Sequence, residues 1–352
     1  MATGIIDDHN IWSSFDVGIN SGTAGNREDL LDIITITSPT ETPFLSGLRK
    51  TVARGTTHQW LVDSLSSFGD PDVGNADVSV TPESFDAVFD PLSNRKRLKN
   101  YTHIFRKTVD VSDTQRSVNT AGIQDEYVYQ LRKKLLELSR EIEFGLIHSV
   151  LSDQTVVGNV GGTPAVGRQM EGILRYLEPD PAGVTADYLT SDEEGTITEA
   201  GSPCAQLSEQ VYNDHMQASW TKGIIYKSAY CNAAQKREIS AFSANVTRNV
   251  DATTNQLTAN IDVYEGDFGM QAIILHRYMP TCEVLTLDED YWRIAMLRPI
   301  LAIELARAGN STRAMIEAEL TLEALAPSTG GKIVWLTDAF NSNTCCSATS
   351  SD

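Results

Sequence analysis

The chain has 352 residues, of which 41% are hydrophobic and 21% are charged, and its formal net charge is -19. This length can bury a substantial core in one large or two modest domains, and the composition is that of a globular protein. No apolar run approaches the roughly 20 residues that a membrane-spanning helix needs. The acidic balance disfavours tight nucleic-acid binding, which requires a surplus of Lys and Arg.

The cellular compartment is indicated by the start of the chain and by its cysteines. Residues 1–20 lack the basic start and the apolar stretch of a secretion signal, so the chain is expected to stay where it is made. The 5 cysteines are odd in number and form no CxxC spacing. This pattern predicts reduced thiols in a cytosol rather than a disulfide framework.

The first 50 residues are expected to form an arm. Residues 1–26 are polar and show no periodicity, whereas residues 27–36 are amphipathic. The two prolines in residues 38–44 disfavour regular helix, which predicts an extended segment. Its isolated apolar side chains, Phe44 and Leu48, should lie across another surface because the segment has no core of its own.

A long hairpin is predicted next. Residues 56–65 and 94–111 both resemble strands, and the first contains Trp60. The two are separated by roughly 30 polar residues, and a loop of that length inside a compact domain is usually functional or docked elsewhere. We therefore expect an excursion that leaves the body of the subunit.

The clearest element is a helix over residues 120–151. Apolar residues recur every three or four positions, which is the spacing of one helical face: Tyr127, Leu131, Leu135, Leu138, Ile142 and Leu146. Charged residues, Glu143 among them, supply the other faces. A helix of about 30 residues is about 45 Å long, so it should act as a spine for the rest of the fold.

The second half alternates between helices and strands. Helices are predicted over 208–220 and 230–242, and strands over 223–226, 261–264, 270–278 and 283–287. Residues 314–325 alternate with period two, which predicts a strand with one solvent-facing side. That side carries Glu317, Glu319, Thr321 and Glu323. Residues 332–337 are expected to return as the partner of this strand.

No catalytic, cofactor or metal site is predicted. The sequence contains no GxxxxGK[ST], HExxH or GxSxG motif, and its 6 histidines are scattered. Acidic runs such as Asp288-Glu289-Asp290 could bind a hard cation, but solvated loop charges are the more common origin of such runs.

The predicted hairpin carries charges of opposite sign. Its second strand contains a basic cluster, whereas the excursion between the strands is acidic. Three interpretations are open: complementary contact between copies, an ordinary solvated face, and nucleic-acid contact. Opposite charges within one hairpin favour the first. The candidate inter-subunit contacts are Phe44, Leu48, Trp60, Asp70, Asp72, Arg95, Lys96, Arg97 and Lys99.

Several stretches together resemble the tailed-bacteriophage major capsid proteins of the HK97 type, and specifically the SU10-like major head protein family. They are DLLDII at 29–34, SPTETPFLSGL at 38–48, THQWLVDSL at 57–65, and the basic run 94–112. The spine segment 131–143 and the strand 309–325 are also similar to that family. The resemblance covers most of the chain and is weakest over 179–254.

The resemblance implies an α+β HK97-like capsid fold, with an N-terminal arm, an extended β-hairpin loop, a long spine helix, and β-rich axial and peripheral domains. The arm would be 1–50 and the extended loop 51–111. The peripheral domain would be 112–178 with 306–352, and the axial domain 179–305.

The resemblance also implies a function. Copies of the chain would form hexamers and pentamers of an icosahedral head around double-stranded DNA, without a catalytic centre or cofactor. Partners would be the chain itself, the portal and decoration or cement proteins, with DNA nearby but not recognised by sequence, and no membrane. The protein would be a virion component assembled in the host bacterial cytoplasm. The alternatives are an encapsulin-like shell, a tail tube, or an enzyme with a lid at 63–90.

Overall fold

The structure, a computed structural model, describes residues 40–63, 95–118, 125–148, 168–177, 196–199, 205–242, 262–307 and 309–337, with isolated positions at 83–84, 86, 123, 250–251 and 256–257. Residues 1–39 of the predicted arm 1–50, most of the excursion, and residues 120–122, 124 and 149–151 of the predicted helix lie outside the described residues.

The strands of the described chain follow one another as β1 (Arg49–Val52), β2 (Thr57–Val62), β3 (Lys96–Tyr101), β4 (His103–Ser112), β5 (Thr196–Glu199), β6 (Ser228–Cys231), β7 (Val250–Asp251), β8 (Gln256–Leu257), β9 (Val263–Gly266), β10 (Gly269–Leu275), β11 (Val284–Leu287), β12 (Trp292–Glu304), β13 (Ser311–Ala324) and β14 (Gly330–Val334). The helices are α1 (Pro43–Gly47), α2 (Asp113–Ser117), α3 (Glu126–His148), α4 (Ile173–Tyr176), α5 (Glu209–Thr221) and α6 (Ala233–Ala241).

A four-stranded sheet in the order β1-β12-β13-β4 supports the long helix α3. Only the C-terminal half of α3 contributes buried residues, among them Leu138, Ile142 and Leu146. A Cβ on Gly145 would lie 3.0 Å from the ring of Phe105 in β4, so this glycine lets the helix approach the sheet closely. The predicted helix is therefore present, but it begins at Glu126 rather than at residue 120, and its buried stripe is confined to its second half.

A six-stranded sheet in the order β5-β14-β11-β6-β10-β9 forms the second body of the fold. One face is covered by α5 and α6, where Tyr212 and Ile239 pack with Val284 of β11. The alternate residues Leu285 and Leu287 of β11 belong instead to the core shared with α3. Because successive side chains of a strand point to opposite faces, β11 joins the two cores.

The sheet order corrects the prediction for residues 332–337. β14 does not return beside β13 but pairs with β11 and β5 in the six-stranded sheet. A 3-10 turn at Pro327–Thr329 carries the chain from one sheet to the other. A Cβ on Gly331 would lie 2.5 Å from the Tyr226 hydroxyl oxygen, so the close approach depends on glycine there.

Two local predictions in the middle of the chain are also wrong. Residues 223–226 form no strand. Gly223, with a φ of +82°, belongs to the turn that ends α5, and its N–H donates to the Trp220 carbonyl oxygen, while residues 224–226 are irregular. Tyr230 and Cys231 belong to β6, so the following helix begins at Ala233.

The prediction for the cysteines is corrected in part. Cys231 is a free buried thiol, whereas Cys282 is disulfide-bonded, so the prediction of reduced thiols is wrong for Cys282.

The root of the predicted arm is helical and buried rather than extended. Pro43 occupies the first turn of α1, where a missing N–H costs no helical hydrogen bond. Phe44, Leu45 and Leu48 lie in the core with residues of α3. Their burial means that this segment is part of the subunit body.

We expect Phe44→Ala to lower the free energy of unfolding by about 3–5 kcal/mol, the range for removing a large buried aromatic side chain. Phe44 is 0% exposed, and its ring centroid is 4.4 Å from that of Tyr230. The control is Leu61→Ala, at a position 60% exposed, where the change should stay within about 0.5 kcal/mol. Urea unfolding of both variants measures the difference, and equal small effects would contradict the core role of Phe44.

Candidate functional site

The base of the predicted hairpin is a two-stranded sheet of its own, formed by β2 and β3. Trp60 lies opposite Leu98 in the register, and both are buried. The next pair, Leu61 opposite Arg97, is exposed. The strands therefore have one face against the subunit and one face toward solvent.

Polar anchors fix this hairpin to the end of β13. The Trp60 indole Nε1–H donates to the Ala324 carbonyl oxygen at 2.6 Å. The Asn100 side-chain amide donates to the Leu322 and Glu171 carbonyl oxygens at 2.9 and 3.2 Å. Because Asn100 is fully buried, these bonds satisfy an amide that would otherwise destabilise the fold. The base of the hairpin is thus held in one orientation.

Part of the predicted basic cluster is exposed on the subunit. Arg95 and Arg97 are exposed, while Lys96 and Lys99 are half-buried. Arg95 Nε lies 3.5 Å from Asp63 Oδ2, so the two strands meet in an exposed ion pair at the point where the excursion begins. Asp70 and Asp72 lie outside the described residues.

The apolar candidates occupy a different environment. Phe44, Leu48 and Trp60 are 0%, 3% and 8% exposed and belong to one core cluster of the subunit. In this conformation their side chains contact the chain itself. The sequence alone does not distinguish apolar residues that contact a neighbouring copy from those that pack within their own subunit, because the side chains are of the same type.

Glu143 is a structural residue that the sequence interpretation missed. It was expected on a solvent-facing side of the spine, yet it is 0% exposed. Its Oε1 accepts hydrogen bonds from the Phe44 N–H and from His276 Nε2, both at 2.8 Å, and its Oε2 accepts from the Leu45 N–H at 2.8 Å. Its place between Ile142 and Leu146 of the apolar stripe was the available signal.

The predicted solvent-facing side of β13 is also wrong, because its carboxylates are buried by cations from other elements. Glu319 accepts hydrogen bonds from Thr102 Oγ1 at 2.7 Å, Arg168 Nη2 at 2.7 Å and Arg298 Nε at 2.9 Å. Glu317 pairs with Arg106 and Arg298 at 3.1 and 3.0 Å. Alternation along one strand reveals two faces but not which of them other segments cover.

The contacts of the carboxylates on β13 shift their pKa values. Burial raises the pKa of Glu317, but hydrogen bonds and charge from Arg106 and Arg298 outweigh it, so the pKa lies below its ordinary value. The pKa of Glu323 is lowered by the His58 ring, with burial opposing and the Thr51 hydroxyl assisting. Both groups are therefore held as carboxylates in the folded subunit.

His215, in contrast, is buried in its neutral form. Its ring nitrogens lie 2.8 Å from Thr198 Oγ1 and 2.9 Å from Thr286 Oγ1, in a fully buried position. Burial, with a smaller contribution from the Lys222 charge, lowers the pKa of His215 to about 3. The ring is neutral near neutral pH and serves as a satisfied structural group between α5 and the six-stranded sheet.

The described residues offer little for metal or membrane chemistry. Among them, no group of three or more His, Cys, Asp or Glu side chains is placed to hold a metal ion. No helix in this part of the chain is both long and apolar enough to cross a membrane.

The described chain combines a long helix on a four-stranded sheet, a second, six-stranded sheet and a separate charged hairpin, which is the arrangement expected of an HK97-like capsid subunit. A sequence model described as SU10 major capsid protein matches residues 17–337. The chain belongs to the SU10 major capsid protein family. The predictions of the family, of the α+β HK97-like fold and of a phage major capsid protein are thereby confirmed.

Individual relatives agree with this assignment. The major capsid protein of Escherichia phage Phieco32 is 26% identical over 335 residues, covering 87% of this chain and 93% of the relative. The cyanophage A-1(L) capsid structure has a TM-score of 0.63 at 13% identity and covers 88% of this chain and 97% of its own. The capsid of a native GTA particle has a TM-score of 0.63 at 10% identity, covering 92% and 99%. These two structures support the fold.

Replacing Glu319 by Ala should lower the free energy of unfolding by about 3 kcal/mol, because it leaves Arg168 largely buried without its carboxylate. The figure is at the lower end for buried pairs, since the Arg298 side chain is 47% exposed and keeps part of its hydration. Glu304→Ala, at an exposed position of β12, is the matched control. Similar denaturant midpoints for the two variants would contradict the role given to Glu319.

Acid should destabilise the subunit in two steps. Between pH 6.5 and about 3 the unfolded chain binds a proton at His215 that the folded chain rejects, so stability falls by up to about 1.4 kcal/mol per pH unit. As pH falls below about 4.5, protonation of Glu317 and Glu323, whose folded pKa values are lowered, removes further stability.

Urea unfolding at successive pH values measures this dependence. The His215→Gln variant should have a shallower slope between pH 6.5 and 4.5, because glutamine cannot take up the proton. An unchanged slope in the variant would show that other groups cause the loss.

Proposed function

We propose that copies of this chain assemble into hexamers and pentamers of an icosahedral head that encloses double-stranded DNA, and that the chain has no catalytic activity. Membership of a capsid family supports the shell. The observation that carries the assembly proposal is the β2–β3 hairpin, which is anchored at its base by Trp60 and Asn100 and charged on its free side. Family membership favours a phage head over an encapsulin-like shell or a tail tube.

The hairpin contact between copies would be electrostatic. The outward side of β3 carries Arg97, with Arg95 immediately before it, and neither is buried by the subunit. The acidic excursion supplies Asp63, Glu83 and Asp86, which are exposed where they are described. Complementary charges of this kind set register and speed encounter more than they add affinity. We therefore assign Arg95 and Arg97 to contact with the acidic excursion of a neighbouring copy, together with Lys96, Lys99, Asp70 and Asp72.

A division into domains follows from the two sheets. The four-stranded sheet with α3 would form the peripheral domain, and the six-stranded sheet with α5 and α6 the axial domain. In this division β12, within the predicted axial range 179–305, joins the peripheral domain, because it pairs with β13. β14, within the predicted peripheral range 306–352, joins the axial domain. The arm at 1–50 would enter the body at α1, and the extended loop would leave it after β2.

Other partners follow from the same proposal. A shell subunit with a net charge of -19 would repel packaged DNA rather than grip it, so DNA would lie near the protein without sequence recognition. The head would also need a portal, and decoration or cement proteins could bind its outer surface. Assembly would take place in the host bacterial cytoplasm, without a cofactor.

The double variant Arg95→Glu and Arg97→Glu should fail to form closed particles while retaining the unfolding midpoint of the wild-type subunit. The reason is that both side chains are exposed and their reversal turns attraction to the acidic excursion into repulsion. Electron microscopy and light scattering of the purified protein measure the outcome.

The matched control reverses two exposed charges elsewhere, Arg132→Glu and Lys133→Glu on α3. This control changes the net charge by the same amount and should still assemble. Normal particles from the hairpin variant would refute the assigned contact, and the absence of any particle from the wild-type chain would refute the shell proposal.

A further inference from the structure

We infer that the apolar side chains of residues 28–36 cover an exposed apolar strip on the N-terminal half of the spine helix in the same subunit. The strip consists of Val128, Leu135 and Leu136 of α3, which are 40%, 41% and 41% exposed. Its occupant is a segment of the chain that carries it. The inference therefore concerns the folded subunit and does not depend on the shell proposal.

The strip continues two rows of α3 that are buried toward its C-terminal end. Val128, Leu135 and Ile142 are seven residues apart, close to two helical turns, so they lie along one side of the helix. Of these three, Ile142 is fully buried. Leu136 and Glu143 are also seven residues apart, and Glu143 is 0% exposed. Within the part of the chain that the structure describes, this side of the helix is therefore covered at residues 142–143 and open from 128 to 136.

The root of the arm supplies the cover at Glu143. The Phe44 and Leu45 N–H groups donate to the Glu143 carboxylate, both at 2.8 Å. The start of α1 is thus fixed on the side of α3 that carries the strip, and residues 1–39 lead into the subunit at this point. A segment tethered beside a surface has a high effective concentration there, which favours it over a second copy that arrives from solution.

The chain lengths allow this contact. Seven residues separate Glu143 from Leu136, which is about 10 Å along the helix at 1.5 Å per residue. Eight residues separate Phe44 from Ile36, and an extended chain of that length spans up to about 26 Å. Residues 28–36 can therefore reach the strip without any change in the position of α1.

The segment has apolar side chains in the pattern that such a strip requires. Four apolar residues follow the spacing i, i+1, i+3 and i+4, which would place them on one side of a helix: Leu30, Leu31, Ile33 and Ile34. The acidic residues of the segment fall at other positions: Glu28, Asp29 and Asp32. One side of the segment can therefore be buried against α3 while its carboxylates stay in water.

Charge complements the apolar contact. Arg132 is exposed and lies between Leu135 and Leu136 around the helix, and the segment that we place there is acidic. Opposite charges help to set the register of such a contact, but an exposed ion pair contributes little to its strength. Reversal of the Arg132 charge should therefore leave the segment docked, whereas loss of the two leucines should release it.

The first test links the two surfaces chemically. The full chain with both Ile33→Cys and Leu136→Cys is treated with a short bis-maleimide, at a concentration where light scattering detects no particles. We expect a link within one chain, seen as a monomer of altered gel mobility and as a peptide pair that joins positions 33 and 136 in mass spectrometry. The two single-cysteine variants are the controls and should not give this peptide pair.

Two outcomes of the cross-linking would overturn the inference. Dimers joined through positions 33 and 136 as the main product would show that the segment of a second copy occupies the strip. A folded variant that gives no link between these positions would show that the segment lies elsewhere. Because the readout is taken on free subunits, neither outcome bears on the shell proposal.

The second test removes the apolar contact. Leu135→Gln together with Leu136→Gln should speed proteinase K cleavage between residues 27 and 39 by about tenfold or more, the scale of a lost interface hot spot. The unfolding midpoint should stay close to that of the wild type, because both side chains are partly exposed and glutamine is a good helix former.

The matched control is Leu301→Gln together with Ile303→Gln, at apolar positions of β12 that are 55% and 44% exposed. Its cleavage between residues 27 and 39 should proceed at the wild-type rate. Equal rates in the wild type and in the variant of α3 would contradict the inference, and so would an equal acceleration in the control.

Discussion

The fold depends on one buried carboxylate. Glu143 lies on the spine helix without solvent contact, and a charge in that position is tolerated only because three donors surround it. Those donors come from α1, about a hundred residues before it in sequence, and from His276 beyond β10. The same interaction therefore fixes the root of the arm, the spine and one end of the six-stranded sheet. β1 begins two residues after α1 and pairs with β12. Anchoring α1 therefore also positions β1, which is an edge strand of the four-stranded sheet.

The ion pairs of the subunit are of two kinds, buried and exposed. Glu317 and Glu319 are paired with arginines from β4, β12 and the segment before α4, and these contacts hold the sheet face together. Arg95 and Asp63 form a pair that is largely in water and contributes little to stability. Salt screens the second kind far more than the first. Under the hairpin contact proposed above, ionic strength would therefore change association between copies while leaving the folded subunit nearly unchanged.

The sequence predicted the elements whose evidence is local. The stripe through Leu138, Ile142 and Leu146 identified the spine, and the strands around Trp60 and Leu98 identified the hairpin, because each pattern is complete within one segment. It failed where the decisive partner is remote. The solvent-facing side expected for β13 is covered by Arg106, Arg168 and Arg298. The sequence of residues 314–325 contains no sign of these distant arginines. The same limit explains Glu143 and β14, since a carboxylate or a short strand is assigned to a core by groups that lie far away in the chain.

The candidate contacts divide in the same way. Phe44, Leu48 and Trp60 were selected because isolated apolar residues need a surface, and they find it inside their own subunit. Arg95 and Arg97 were selected by charge, and their exposure keeps them available to a neighbour. Trp220 is the opposite case: it continues the row of Tyr212 and Met216 along α5, yet its side chain is 58% exposed. Whether an apolar residue lies in the core or on the surface depends on which segments cover it, and that is a property of the whole folded subunit. An apolar row that runs beyond its own sheet is the feature that the three-dimensional structure adds to the sequence.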